Sequence, residues 1–216
     1  VRPVWEKCGC GHPKALELLI ARLGSIENLP DLLDRLPAFR EDVREAWLMP
    51  LIDELPAGQR ELLVNLSIFD RPVSLDLLLS VGPSDEVEKG VVALLDRFLV
   101  DYGSEGLLQL HPLVRDFCRS LMPNIRAKHS WAADIYLSRF SVCGEADGHL
   151  EGETDYLLAA WSHLIKAGDN ARAADLVREL RPRLMKRGEY ESVMMLLDTT
   201  MPVDETHADW LELHRA

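Results

Sequence analysis

The stretch from Lys7 to Leu16 reads KCGCGHPKAL and places Cys8, Cys10 and His12 at alternate positions ahead of an apolar run. Two thiols and an imidazole on one face of an extended segment are the ligand types that a soft cation such as zinc accepts. A closed structural site needs four ligands, however. The other two cysteines, Cys118 and Cys143, stand isolated, and no C-x-x-C pair occurs in the chain. The sequence therefore predicts no metal site here, and small buried thiols beside two glycines. Gly9 and Gly11 become the informative residues, because glycine allows backbone angles and close approaches that other residues resist.

Other catalytic patterns are missing. A loop that cradles phosphates needs glycines followed by Lys and then Ser or Thr, and no lysine of this chain is followed by either. The seven histidines offer possible bases, yet none lies in a nucleophile elbow or an H-E-x-x-H helix. The acidic residues fall mostly where exposed helix faces should be. The expectation is a chain with no catalytic residues and no enzymatic activity of its own.

The elements that would position these residues are helical. From Pro13 the run PKALELLIARLG carries Leu16, Leu19, Ile20 and Leu23 at the i, i+3, i+4, i+7 spacing of a helix burying one stripe, and Gly24 should end it. Residues 1–49 thus read as a small helical domain, with Leu29, Leu32, Leu33, Leu36 and Trp47 in short pieces punctuated by Pro30 and Pro37. Residues 50–123 change character. A helix with Leu62, Leu63, Leu66 and Phe69 precedes one capped by Ser74 and a third capped by Ser84, whose stripe runs through Val87, Val91, Leu94, Leu95 and Phe98. Two β-prone runs joined by a Gly/Ser/Glu turn follow, at LVDYGSEGLLQLHP. Three helices and a hairpin describe a winged helix. Residues 124–216 read as antiparallel helical hairpins of a TPR-like repeat array, with Gly168 and Gly188 after helices and Asp169 and Asn170 in a turn. The piece DWLELHRA reads as a further helix. The fold class predicted is mostly α.

Composition bounds the function. The 216 residues are 47% hydrophobic and 28% charged, an ordinary globular balance with room for more than one module. A net charge of -12 argues against a phosphate backbone as the main partner. The predicted third helix sharpens this: Asp85, Glu86, Glu88 and Asp96 outweigh Lys89 and Arg97, so nucleic acid is disfavoured. No apolar run approaches the roughly 20 residues that span a bilayer. Cysteine usage suits a reducing cytoplasm, and the opening on Val1 without Met reads as a piece of a longer protein.

The order of units, and two motifs at their joints, resemble the signal-transducing ATPases with numerous domains, the NB-ARC and NACHT-like (STAND) class. In that class a nucleotide-binding domain is followed by a small helical domain, a winged helix and a sensor array of repeats. The resemblance covers the whole chain and begins downstream of the catalytic domain. CGCGHPKALELL is similar to the G-x-P segment opening the family's small helical domain, with Gly11, His12 and Pro13 in register and Lys14 replacing an apolar residue. LQLHPLVRDFCRSL is similar to the family's M-H-D segment, with Leu110 for Met, His111 in register and Pro112 in place of Asp. The resemblance implies cofactor-binding roles for Pro13, near the adenine, and His111, on the β-phosphate of ADP. It implies ADP or ATP bound by the parent protein, an upstream nucleotide-binding domain as partner in the same chain, and a protein or small-molecule ligand for the repeats. Two plainer readings of the residues stay open: Pro13 starts a helix at its first position, and His111 caps the helix that follows it. At the level of the whole chain, the alternatives are a transcriptional regulator and a plain repeat scaffold.

Overall fold

The computed structural model describes residues 2–8, 11–23, 29–37, 44–79, 83–103, 106–143 and 150–200. The architecture is mostly helical, with twelve α-helices and one two-stranded sheet among the described residues. The chain divides into two compact units, Val1–Met122 and Pro123–Ala216.

The first unit opens with α1 (Arg2–Lys7), α2 (Pro13–Leu23) and α3 (Leu29–Arg35). Pro13 starts α2, where its missing N–H costs nothing and its fixed φ suits a helix. The buried stripe of α2 is Lys14, Ala15, Leu18 and Leu19, while Leu16 and Ile20 are exposed. This corrects the predicted stripe by one residue. Polar ends explain the rotation: Lys14 turns inward to carboxylates, and Arg22 donates from Nη1 to the carbonyl of Ala46 at 2.9 Å. A helix turned by hydrogen bonds at both ends buries whichever apolar residues then face inward, here Leu18 rather than Ile20.

A π-helical turn, Arg44–Leu48, leads into α4 (Met49–Asp53), with Trp47, Leu48, Leu51 and Ile52 all buried. Next come α5 (Ala57–Ser67), α6 (Leu75–Leu79) and α7 (Ser84–Asp96). Ser74 caps α6 through its Oγ, which accepts from the N–H of Leu77 at 3.2 Å. Ser84 does not cap α7. It is the first helical residue, and Pro83 sits in the cap position with φ -57° and ψ 122°. Pro83 supplies that geometry because its ring fixes φ near the value the entry needs. The helix α7 packs on α5 through Val87, Gly90, Val91 and Leu94, and a Cβ at Gly90 would lie 2.8 Å from Leu62 Cδ2.

The end of α7 is unusual. Phe98 adopts φ 53°, and the amides of Leu99 and Phe98 donate to the carbonyls of Leu94 (3.0 Å) and Leu95 (2.9 Å). This is the double bond pattern of a glycine-type helix stop, made by a phenylalanine. It turns the chain into β1 (Asp101–Tyr102), which pairs antiparallel with β2 (Leu108–Gln109), Asp101 opposite Gln109. Val73 adds an isolated bridge to Leu108 on the other edge. The joining turn includes residues outside the described set. The unit closes with α8 (Pro112–Ser120), held to the end of α5 by Arg119. Its Nε donates to Ser67 O at 2.6 Å and its Nη2 to Ile68 O at 3.0 Å, and the guanidinium pairs with Asp70 at 2.8 Å.

The second unit stacks α9 (Ile125–Cys143), α10 (Leu150–Ala167), α11 (Asn170–Arg187) and α12 (Tyr190–Thr199), each packed on the next. Gly168 and Gly188, at φ 79° and 76°, end α10 and α11, and Asp169 caps α11 by accepting from Arg172 N–H at 3.2 Å. Small residues on facing helices, Ala132, Ala133, Ala160, Ala173 and Ala174, let the backbones approach closely. Leu157, Leu164, Val177, Leu180 and Leu196 fill the space between. The helix α11 continues through Pro182, an exposed residue whose missing amide leaves a carbonyl to water. Buried polar pairs lie in this core. The Nδ1 atoms of His129 and His163 are 2.9 Å apart, and Trp161 donates from Nε1 to Thr200 Oγ1 at 3.0 Å. The segment DWLELHRA, with all of 201–216, lies outside the described residues.

Candidate functional site

The motifs around His12 and His111 meet in the first unit. The turn from α1 to α2 is tied by the amide of His12, which donates to Cys8 O at 2.9 Å. Gly11 in that turn has φ 88°, and a Cβ there would lie 2.2 Å from the Trp5 ring. Both the angle and the ring above it require glycine. The turn sets His12 so that its ring stands edge-on to that of His111, with centroids 6.2 Å apart and planes at 80°. Pro13, next in sequence, is exposed at the start of α2.

Lys14 continues the site and went unremarked as a candidate in the sequence reading. It is 2% exposed, and its Nζ pairs with Glu17 at 2.9 Å and with Asp101 of β1 at 3.2 Å. A lysine in the first turn of a helix opposes the macrodipole, so it needs carboxylate partners; that was the legible signal. Asp101 itself offered none, because its role depends on the hairpin reaching α2.

His111 occupies the N-cap of α8, where its Nδ1 accepts from Leu113 N–H at 3.2 Å. The capping role is thus observed. Burial lowers its pKa below the ordinary 6.5, and the neighbouring Lys14 and His12 lower it further, with Asp101 and Glu17 opposing. The ring is therefore neutral at pH 7. With Nδ1 accepting, the proton sits on Nε2, and capping leaves that N–H as a donor. Capping and ligand contact use different nitrogens, so one does not preclude the other.

Beside His111 lies a cleft of about 250 Å³ lined by Phe69, Asp70, Arg71, Asp101, Gln109 and Arg115, among others. This is below the roughly 300–1,000 Å³ usual for small-molecule pockets.

Neither Cys8 nor Cys118 contributes a reactive group. Cys8 is buried, and burial raises its pKa; burial pushes Cys118 up to about 12, so both remain thiols. Cys10 lies outside the described residues, and among the described residues no three His, Cys, Asp or Glu side chains converge as metal ligands. No helix among them is long and apolar enough to cross a membrane.

A scan of family models found none that matches this chain, and neither the curated proteins nor the solved structures gave a match.

Proposed function

We propose that this chain is the regulatory portion of a STAND-type ATPase: a small helical lid, a winged helix and the first TPR-like hairpins. The observation that carries the reading is the meeting of its two motifs. The G-H-P turn and the L-H-P segment are far apart in sequence, yet the rings of His12 and His111 lie 6.2 Å apart. The order α5, α6, α7, strand pair, with Val73 bridging the pair's far edge, supports the winged helix. The alanine-lined stack α9–α12 with its glycine turns supports the repeats.

In this reading an upstream nucleotide-binding domain holds ADP against the lid. Pro13 packs beside the adenine, and the Nε2–H of His111 donates to the β-phosphate. Lys14 is not a phosphate ligand, because Glu17 and Asp101 already hold it; it fixes the lid to the hairpin that carries the clamp. A protein or small-molecule ligand at the repeats opens the clamp. The exposed acidic residues of α7, Asp85, Glu86, Glu88 and Asp96, suit a winged helix that works by packing rather than on DNA. The setting is cytoplasmic, and hydrolysis belongs to the upstream domain, so the chain is not itself an enzyme.

The test is ADP titration of the parent protein with and without His111→Ala. A hydrogen bond to a charged group contributes roughly 1.5–3 kcal/mol, so affinity should fall about 10- to 150-fold. Because His111 also caps α8, the isolated chain should lose roughly 1 kcal/mol of stability as well. Unchanged ADP affinity in the parent, with that stability loss present, would reduce His111 to a cap and end the proposal.

A further inference from the structure

We infer that His129 and His163 form a proton-sensitive latch in the helical stack: it holds α9 to α10 while one Nδ1 stays bare and releases them when both rings are protonated. The inference does not rest on the nucleotide reading, because both histidines belong to the second unit.

The Nδ1 atoms of the two rings stand 2.9 Å apart, and the residues are only 6% and 3% exposed. A hydrogen bond at that distance needs one donor and one acceptor, and a neutral imidazole offers one of each. One Nδ1 therefore carries a proton and the other is bare. A single added proton is tolerated geometrically, since an imidazolium can still donate to a bare Nδ1. A second is not. Two imidazolium rings would set N–H against N–H and place two like charges where little water reaches. The doubly protonated pair thus exists only with the rings apart. Because α9 and α10 share the most extensive helix contact among the described residues, separating the rings disturbs the main interface of the stack.

The groups around the pair bear on the same balance. Among the residues one turn away from each histidine along its own helix, only Arg126 and Lys166 are charged, and their positive charge opposes a proton arriving on the pair. Tyr136 of α9 stacks on His163 with centroids 5.7 Å apart, and Tyr156 of α10 lies 6.2 Å from Tyr136. The buried residues of α11, which packs on α10, are apolar throughout. Its charged residues that reach α9 are Arg172, paired with Asp134, and Arg183, which lies 5.2 Å over the Phe140 ring. Thr200, just past α12, meets α10 through its neutral bond to Trp161.

Separated imidazoles titrate near pH 6.5 and hold two protons well below it, one more than the latched pair can hold. Opening therefore takes up protons, so the closed state is favoured above about pH 6.5 and loses ground as pH falls. One excluded proton raises the opening constant about 30-fold between pH 7.5 and pH 5.

The experiment follows hydrogen exchange of the full chain across that range, with rates corrected for the pH dependence of the chemical step. Protection of the α9 and α10 amides should fall about 30-fold in the native chain. The double variant H129Q/H163Q keeps side chains that can bond each other without titrating, and it should lose this dependence. An equal fall in both proteins would overturn the latch. Should the double variant fail to fold, ¹⁵N titration of the imidazoles in the native chain decides. While α9 and α10 remain protected, no more than one proton should arrive on the pair; two protonated rings in the protected state would overturn the inference.

Discussion

Asp101→Asn should destabilise the first unit more than Lys14→Met does, although the two changes break the same ion pair. Lys14 is almost wholly buried, whereas Asp101 is about a third exposed. At 3.2 Å and an effective dielectric near 20, the gross attraction is about 5 kcal/mol, most of it offset by desolvation. Removing one member of a fully buried pair costs roughly 3–5 kcal/mol because the other charge is stranded. Two features reduce that figure here. Glu17 remains 2.9 Å from the ammonium, and the asparagine oxygen still accepts. About 1–2 kcal/mol is the expected loss for Asp101→Asn. Lys14→Met strands no buried charge, since Asp101 can turn to water, and adds an apolar side chain to the stripe of Ala15, Leu18 and Leu19. Its cost should lie within about 0.5 kcal/mol of zero. Urea unfolding of both variants and the double mutant measures the difference, and hydrogen exchange in the strand pair locates it. Equal losses in the two single variants would show that burial of the ammonium is not what sets the cost.

Gly11→Ala meets both a left-handed φ and the Trp5 ring, so it should cost about 1–3 kcal/mol. Urea unfolding reads this, and adding Trp5→Ala should recover part of it; no recovery would assign the whole cost to the backbone angle. Stability should also depend on pH through His111. Its folded pKa lies below its unfolded value near 6.5, so the unfolded state takes up the proton first, and stability present above pH 6.5 is lost as pH falls toward the folded pKa. Protonation of Nδ1 would also remove the acceptor for Leu113 N–H, which acts in the same direction. Unfolding free energies from pH 7.5 down to 5 should fall more steeply for the native chain than for His111→Gln; parallel profiles would refute this.

Local periodicity made the helices legible, because apolar spacing and glycine stops are written within a dozen residues. Gly168, Gly188 and Ser74 act as their positions suggested. What periodicity could not settle was which of two overlapping stripes α2 buries. Lys14 and Arg22 decided that through Asp101 and Ala46, both remote in sequence. The end of α7 was illegible for a different reason: a left-handed stop normally shows itself by glycine, and here Phe98 takes the strain. At the site, His111 was visible and its capping bond follows from position alone. Lys14 could have been found from its conflict with the helix dipole. Arg71 and Arg115 could not, since only the folding of α8 against the end of α5 puts them on one cleft. The histidines of α9 and α10 likewise look like ordinary members of apolar stripes until packing sets them ring to ring.

The bond from Trp161 to Thr200 determines where the helical stack may be severed. Thr200 is fully buried and lies one residue past the last turn of α12, in extended backbone. A protease or a gene truncation guided by helix ends would cut just before it. That cut keeps every helix among the described residues and removes the oxygen to which the indole N–H donates, leaving a buried donor at a cost of roughly 1–3 kcal/mol. The stack's working boundary is therefore set by a side chain in the middle of α10, and domain dissection of this protein should begin no earlier than the residue after Thr200.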